Sequence, residues 1–319
     1  MNFRILNTIG EAFHDDGKKI LEEIGTVDYR ILTQVDLHDI LPNYDVFLVG
    51  LGLRFHKSEL ERAKNLKVLA TATTGLDHID TEHARKKGVH VVSLRGENEF
   101  LDTISGTAEL AWGLMTDLLR KIPWSFDSVK KGEWDRERFR GHTLRGRTLG
   151  IVGLGRLGKM MARYANAFNM NIVFCDPNVP ESPYPFAKKV SFDELLVSSD
   201  VVTIHVHLTS ETENLFDKKT FTKMKKGAYL INTSRGKIVN EDELIETLEG
   251  KVIAGYGTDV LSGELEFKKT FSNYPLVEYA KEHDNVIIAP HTGGMTFDSR
   301  SATDIFIAKK LNDYLLKMR

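Results

Sequence analysis

Two α/β domains, each a doubly wound parallel sheet, are what this sequence predicts, and three observations carry the prediction. Its 319 residues, at about 150 per domain, give a prior of two separate cores. Short β-rich runs alternate with amphipathic or charged helical stretches from one end to the other, the order that puts helices on both faces of a parallel sheet. The alternation comes as two series, divided by one long helical stretch after Thr103.

The first series reads RILNTI, DYRIL, YDVFLVG, LKVLATA and VHVVSL, with helices expected near residues 12–24, 58–65 and 78–87. Gly25 and Gly88 follow two of these helices, where a left-handed cap residue is wanted, and are read as C-caps. From Thr103 to about Lys130, Ile104, Ala108, Ala111, Leu114 and Leu118 recur at helical spacing, with a kink or break expected at Pro123. The loop after it carries Trp134, Arg136, Arg138, Phe139 and Arg140 interleaved with Glu133, Asp135 and Glu137. The mixed charge makes it a solvated connector rather than a nucleic-acid surface.

The second series reads TLGIVG, NIVFCD, DVVTIHV, AYLINTS, VIAGYGTD and NVIIAPH, six strands of a nucleotide-binding sheet. The last helix, from about Thr296 to Met318, has no strand of its own and is read as returning to the first domain. The expected division is therefore 1–100 plus 292–319 for one domain and 101–291 for the other.

Composition narrows the function classes. Lys and Arg number 43 against 45 Asp and Glu, a formal net charge of −2, so the chain is no polyanion binder. At 41% hydrophobic and 28% charged it is neither disordered nor fibrous. No run approaches the roughly 18 to 20 apolar residues of a membrane helix, and the N-terminus reaches Glu11, Asp15 and Asp16 without a signal-peptide core, so a cytoplasmic protein is expected. A single cysteine, Cys175, allows neither an internal disulfide nor a thiolate metal cluster and is read as a small core residue.

The segment GLGRLG places Gly153, Gly155 and Gly158 directly after one strand and directly before a helix. The first glycine permits the tight turn, the second a close approach of backbone to pyrophosphate, the third close helix packing, and the helix N-terminus favours the phosphates. Asp176 ends the next strand eighteen positions beyond Gly158. A carboxylate there accepts ribose hydroxyls and repels a 2′-phosphate, so NAD is expected over NADP. The plain alternative is a Gly-rich turn and a surface Asp.

Reacting groups should then stand on loops at the carboxyl ends of the strands. Arg235 follows AYLINTS, Asp259 ends VIAGYGTD with Glu264 five residues on, and His291 ends NVIIAP. Each alone reads as a surface charge or a structural histidine. Three from successive strand ends form a candidate catalytic set.

These residues resemble one family, the D-isomer-specific 2-hydroxyacid dehydrogenases, which include phosphoglycerate, glycerate and D-lactate dehydrogenases. The resemblance runs over essentially the whole chain, through Thr74 to Asp80, Gly153 to Gly158, Asn232 to Gly236, Asp259 to Glu264, and Pro290 to Gly294. It implies a Rossmann NAD-binding domain and a flavodoxin-like catalytic domain completed by the C-terminal helix. It implies His291 as general acid and base at a 2-oxo or 2-hydroxy group, Glu264 orienting it and raising its pKa, and Arg235 holding the substrate carboxylate and polarising the oxo group. Asp259 is expected to meet the nicotinamide amide. Arg156 and Leu157 within the glycine loop, Val206, Thr233, Ser234 and Gly294 are expected beside the cofactor. Thr74, Gly75 and Leu76 are expected to receive the substrate carboxylate, His291 and Arg235 completing that site. Glu264 also separates this chemistry from the related formate dehydrogenases, which use a Gln beside their His. The long helix, with Trp112 and Met115, resembles the arm through which family members form homodimers.

Several positions depart from the family pattern. LRGENEFLD, residues 94–102, carries Arg95, Glu97 and Glu99 where many relatives have an uncharged Pro- and Gly-rich loop. Arg95 is expected to pair with a neighbouring Glu at the surface, a second anionic group of the substrate being the alternative. Thr71 stands where phosphoglycerate-oxidising members often have Arg, with Arg54 as a candidate replacement. Leu265-Glu266-Phe267 lacks a common Pro, and His207 replaces another. His205 and His207 alternate on one strand without a third ligand, so no metal is expected. With its helix running to Arg319, the chain is expected to lack the C-terminal regulatory domain of the longer phosphoglycerate dehydrogenases. Two alternatives stay open: a larger or phosphorylated 2-hydroxy acid as substrate, and an NAD(H)-sensing interaction protein like the C-terminal binding protein corepressors.

Overall fold

The computed structural model describes residues 2–264, 267 and 273–318. It divides into two compact units, 1–104 with 296–319, and 105–295. The boundaries thus fall at 104/105 and 295/296 rather than at 100/101 and 291/292.

In the first unit, five strands, β1 (Phe3–Asn7), β2 (Gly25–Tyr29), β3 (Val46–Val49), β4 (Val68–Thr71) and β5 (His90–Val92), pair in parallel in the order β2-β1-β3-β4-β5. This is the flavodoxin-like order. Helices α1 (Asp15–Glu22), α2 (Gln34–Ile40), α3 (Lys57–Arg62), α4 (Thr81–Lys86) and α5 (Asn98–Leu101) cover it. The strands are apolar on both sides, and period two sorts them. Ile5, Val46, Leu48, Val68 and Ala70 enter one core, while Leu6, Phe47, Val49 and Leu69 enter the other.

Three expectations need correction here. The second strand is Gly25–Tyr29 rather than DYRIL, and Gly25 is no C-cap. A Cβ at Gly25 would lie 2.2 Å from the Phe3 carbonyl oxygen, so the glycine serves strand pairing. Helix α2, closed by a capping box between Thr33 and Asp36, had not been anticipated. Gly88 does take the left-handed conformation after α4, at φ 76°.

The second unit opens with α6 (Gly106–Arg120) and α7 (Ile122–Lys130). The break lies at Lys121, left-handed at φ 55°, and Pro123 falls in the first turn of α7, where its missing N–H costs nothing. Residues 131–147 follow as an irregular connector with Trp134 88% exposed, which keeps that ring out of the core. The elements β6 (Thr148–Val152), α8 (Arg156–Ala167), β7 (Asn171–Cys175), β8 (Ala187–Lys189), α9 (Phe192–Ser198), β9 (Val201–Ile204), α10 (Lys218–Lys223), β10 (Ala228–Asn232), α11 (Glu241–Glu249), β11 (Ile253–Thr258), α12 (Pro275–Glu282) and β12 (Val286–Ile288) then alternate.

Their parallel sheet runs β12-β11-β10-β9-β6-β7-β8, the Rossmann order extended by one strand. The extending strand is β12, while the short β8, absent from the six strands expected, closes the opposite edge with Lys188 and Lys189 exposed. Leu149, Ile151 and Ile231 pack with Ala108, Ala111, Leu114 and Leu118 of α6, and Val202, Ile204 and Leu230 pack with Leu195, Leu244 and Leu276 on the other face. Because the connection leaves β6 for β7 and returns to β9, the strand order reverses between β6 and β9. The carboxyl ends of those strands frame a crevice there.

The chain ends in α13 (Phe297–Lys317), capped by the Thr296 hydroxyl at Ser299 N–H. Its Ile307, Ala308, Leu311 and Leu315 are fully buried in the core of the first unit with Phe3, Phe13 and Leu21. The 21-residue helix therefore completes a sheet whose strands were laid down before residue 93.

Candidate active site

The glycine loop sits at the reversal of strand order. Gly153 adopts φ 91°, and a Cβ on it would lie 2.5 Å from the His205 carbonyl oxygen and 2.7 Å from Val206 Cγ1. Gly158 lies against the loop itself, where a Cβ would meet the Gly153 oxygen at 2.1 Å. Gly155 caps α8 and has nothing within 4 Å of its Cβ direction, leaving a backbone surface at the helix N-terminus open to a ligand. Arg156 and Leu157 form the first turn of α8, Leu157 packing on the core beneath.

Asp176 follows β7. One carboxylate oxygen accepts Leu154 N–H at 2.8 Å and the other accepts Asn178 N–H at 2.8 Å, which fixes the acid beside the glycine loop. Across the sheet at the end of β10, the Thr233 hydroxyl is buried without a hydrogen-bond partner. A cradle free of Cβ atoms, a fixed carboxylate and an unsatisfied buried hydroxyl at the strand ends fit a dinucleotide.

The three candidate reacting groups, Arg235, Glu264 and His291, follow three adjacent strands, β10, β11 and β12, on that same side. Asn232, fully buried at the end of β10, shapes the turn that presents Arg235. It accepts Ser234 N–H at 3.0 Å and donates to the Arg235 carbonyl at 2.9 Å. Ser234 in turn donates its hydroxyl to Ile204 O on β9, at 2.8 Å. Arg235 is half-buried, with one guanidinium nitrogen donating to Ser234 O. Gly236 is required next, because a Cβ there would lie 2.1 Å from the Leu261 carbonyl carbon.

Asp259, 2% exposed after β11, accepts Thr292 N–H at 2.6 Å and Gly293 N–H at 2.8 Å. Burial raises its pKa, against these donors and the charge of His291. The bonds reach from β11 to the loop after β12 and hold it in an unusual shape. His291 stands at φ 53°, in the left-handed region that costs a non-glycine residue about 1–2 kcal/mol. Two hydrogen bonds to a charged acceptor, about 1.5–3 kcal/mol each, are enough to offset that. Gly293 leaves room for Asp259, whose Oδ2 would lie 2.9 Å from a Cβ, and Gly294 is exposed beyond it.

The result is a pair: His291 Nδ1 stands 2.6 Å from Glu264 Oε1, with the other carboxylate oxygen accepting Leu261 N–H at 3.0 Å. The Glu264 hydrogen bond raises the imidazole pKa. Burial works against it, the charges of Glu264 and Asp259 add to it, and that of Arg235 opposes it. With Nδ1 engaged, Nε2 is the nitrogen left for a substrate. Such a set can hold an anion beside Arg235 and move a proton at Nε2.

Thr74, Gly75 and Leu76 belong to the other unit, in the turn after β4. There the Thr73 hydroxyl donates to Gly75 O at 2.8 Å. Beneath it, Thr71 Oγ1 lies 3.1 Å from Thr73 Oγ1 and 3.4 Å from the Nε2 of the buried His78. Arg95 makes no pair with Glu97: that carboxylate takes Lys310 at 2.5 Å, and Arg95 Nε donates to the Thr74 carbonyl at 3.3 Å. A backbone carbonyl within the same unit was nearer than either glutamate. Arg54 has its backbone N–H and carbonyl bound by the Gln34 amide.

His205 and His207 differ in their surroundings. His205 Nε2 lies 2.8 Å from Thr203 Oγ1, its Nδ1 is buried, and burial pushes its pKa down to about 3, whereas His207 is exposed. Among the described residues no group of three or more His, Cys, Asp or Glu is placed to hold a metal. Cys175 is half-buried at the end of β7. Leu265 and Glu266 lie outside the described residues. Glu241 and Tyr274, which bind the Ser262 backbone, carry no local signal in the sequence that ties them to His291.

Comparison with known proteins gives the family of the chain. Residues 112–293 match the family described as "D-isomer specific 2-hydroxyacid dehydrogenase, NAD binding domain". The chain is 36% identical over 312 residues to a D-3-phosphoglycerate dehydrogenase of Methanocaldococcus jannaschii, covering 96% of this chain and 57% of that one. It is 34% identical over 281 residues to a hydroxypyruvate reductase of Thermotoga maritima, covering 88% of each. A D-lactate dehydrogenase of Aquifex aeolicus, solved with NAD and lactic acid, superposes with a TM-score of 0.87 at 27% identity over 98% of this chain and 96% of that one. The chain spans about half the length of the curated phosphoglycerate dehydrogenases it matches.

Proposed function

The chain belongs to the D-isomer-specific 2-hydroxyacid dehydrogenase family, and from that premise we propose that it is an NAD-dependent oxidoreductase acting at C2 of a small D-2-hydroxy acid or its 2-oxo form. The observation that carries the reading is the 2.6 Å pair between His291 and Glu264 with Arg235 on a neighbouring strand end. An acid that must protonate an oxygen at C2 needs a raised pKa, and a substrate that is an α-carboxylate needs a guanidinium beside that acid.

The glycine loop Gly153–Gly158 and the first turn of α8 would hold the pyrophosphate, and Asp176 the adenosine ribose. Val206, Thr233, Ser234, Asp259 and Gly294 would line the nicotinamide end. When bound, the nicotinamide supplies or accepts the hydride at C2. Arg235 grips the carboxylate and the oxo oxygen, a charge-assisted contact that strengthens as negative charge develops on that oxygen. His291 then gives its Nε2 proton to that oxygen in reduction, and takes it back in oxidation. Glu264 keeps the ring oriented and balances the imidazolium. The Thr74–Leu76 turn is proposed as a source of backbone donors for a substrate carboxylate. If the substrate is a larger or phosphorylated 2-hydroxy acid, Arg54 or Arg95 would recognise its second anionic group.

We further propose a homodimer built on α6 and α7. Ile122, Phe126 and Val129, spaced four and three residues apart on α7, are 48%, 61% and 48% exposed, an apolar stripe that a partner would cover. No helix among the described residues is long and apolar enough to cross a membrane. A lone, half-buried cysteine suits a reducing compartment such as the cytoplasm.

The test is NADH oxidation against glyoxylate, hydroxypyruvate, pyruvate, 2-oxoglutarate and 3-phosphohydroxypyruvate, with NADPH and the His291→Ala variant in parallel. Turnover that disappears in the variant is the expected result and ranks the substrates. NADH binding with no turnover of any acid, together with His291-dependent capture of a protein partner, would replace the enzyme by a sensor.

A further inference from the structure

A second, half-buried carboxylate stands behind the turn that carries Glu264. Glu241, the first residue of α11, accepts Ser262 N–H at 2.9 Å and the hydroxyl of Tyr274, the residue capping α12. The same Tyr274 hydroxyl lies 2.8 Å from the Ser262 carbonyl oxygen. The single Tyr274 hydroxyl proton is shared between the Glu241 carboxylate and the Ser262 carbonyl, so Ser262 is held at its N–H by Glu241 and contacted at its C=O by the cap of α12. On one side of it, Leu261 N–H is bound by Glu264 itself, and Leu261 and Ser262 pack on Gly236 with no room for a Cβ. A short turn of four residues, 261–264, therefore has its backbone fixed by two carboxylates, one facing the imidazole and one facing away from it.

The geometry points to Glu241 and Tyr274 as positioning residues for proton transfer: by clamping Ser262 they hold the turn that sets Glu264 against His291. This inference rests on the dehydrogenase reading, but concerns groups that touch neither substrate nor cofactor. Two physical arguments support it. The first is position, since a hydrogen bond of 2.6 Å tolerates little drift of either partner, and Glu264 is the only side chain on this turn that reaches the histidine among the bonds described. The second is solvation. A half-buried carboxylate has part of its hydration replaced by protein donors, and Glu241 is made harder to ionise by desolvation and by the charges of Asp242 and Glu264, against the Tyr274 and Ser262 donors. A helix start could be capped by Asn240 alone, whose side chain already accepts Glu243 N–H at 3.2 Å.

The groups facing Glu241 are Asp242 on its own helix, Tyr274 on α12, Tyr256 on β11 and Glu264 on the turn. Those facing His291 are Glu264, Asp259 and Arg235. The clamp borders a cavity of about 320 Å³ lined also by Asn214, Asn240 and Pro275. Water can therefore reach a freed Ser262 N–H, and truncation of Glu241 should spare the fold.

The experiment compares Glu241→Ala, Glu241→Gln and Tyr274→Phe in the native and the Glu264→Gln backgrounds. It reads the His291 imidazole by NMR titration and kcat and KM across pH. In Glu241→Ala, His291 should titrate at lower pH and kcat for reduction should fall about tenfold with KM for NADH within about twofold, the size expected of coupled neighbours. Glu241→Gln, whose amide oxygen still accepts Ser262 N–H, should recover most of the loss. In the Glu264→Gln background the same truncation should cost no more than about twofold. A native His291 titration and pH profile in all three variants, with only a lower Tm, would overturn the assignment, as would an undiminished penalty in the Glu264→Gln background. Failure of the dehydrogenase reading looks different: no turnover in the unaltered protein, while the His291 titration still responds to Glu241.

Discussion

Replacing Glu264 by Gln removes one charge and keeps an acceptor for the Nδ1 proton of His291. At 2.6 Å, opposite unit charges attract by about 1.6 kcal/mol even with the dielectric of bulk water and by about 6 kcal/mol at an effective value of about 20. The side chains are 31% and 19% exposed, and burial of the ring opposes its charge. The lower part of that range therefore applies, in line with about 1.5–3 kcal/mol for a hydrogen bond to a charged group. At about 1.4 kcal/mol per factor of ten, kcat for reduction should fall about 10- to 150-fold where the native enzyme is protonated and the variant is not.

The sign follows from the direction of the shift. Glu264 raises the imidazole pKa, so the proton donor persists to higher pH in the native protein, and reduction fails only as pH rises through that raised value. Without the carboxylate the alkaline limb moves to lower pH, and the loss is smallest at the acid end. The assay is NADH absorbance with the best 2-oxo acid from about pH 5 to about pH 9, at saturating substrate. An alkaline limb that stays in place would refute the reasoning, whatever happens to the absolute rate.

Other expectations concern cofactor choice, packing and assembly. Asp176→Ala should lower the NADH-to-NADPH ratio of kcat/KM by at least about tenfold, measured by initial rates with both cofactors. It should also weaken NADH binding, because Leu154 and Asn178 lose their acceptor. Gly158→Ala puts a Cβ 2.1 Å from a backbone oxygen, an overpacking of about 1–3 kcal/mol that should lower Tm by about 2–12 °C, with calorimetry as the check. Phe126→Asp should halve the mass in sedimentation velocity without altering the far-UV spectrum. An unchanged mass would remove α7 from the interface.

Both sheets were legible because their strands alternate with helices at regular intervals and because most strands are apolar runs. The errors fall where one short-range signal stands for another. Gly25 follows a charged helical stretch and has the look of a cap, but what demands glycine is the Phe3 carbonyl across a strand pair. β8 was passed over because Ala187-Lys188-Lys189 has no apolar pattern and needs none at a sheet edge. Arg235, Glu264 and His291 could be singled out because each follows a strand. The clamp on Ser262 could not, since Glu241 and Tyr274 stand 33 residues apart and meet only once α11 and α12 are in place. Arg95 went astray for a related reason: charge pairing is guessed from neighbours in sequence, whereas Lys310, more than 200 positions away, took Glu97.

The return of α13 to the first sheet also sets an order of events in synthesis. The strands β1 to β5 emerge early, but their apolar face is closed by Ile307, Ala308, Leu311 and Leu315, which are translated only after residues 105–295. At about 5–20 residues per second, that interval is about 10–40 s during which this face of the first unit is covered only in part, by Phe13, Leu21 and Leu101, while the second unit can already fold. Ribosome-stalled chains ending before residue 297 should therefore yield a protease-resistant second unit and a digestible first hundred residues. The burden of protection by chaperones falls on the half of the protein made first.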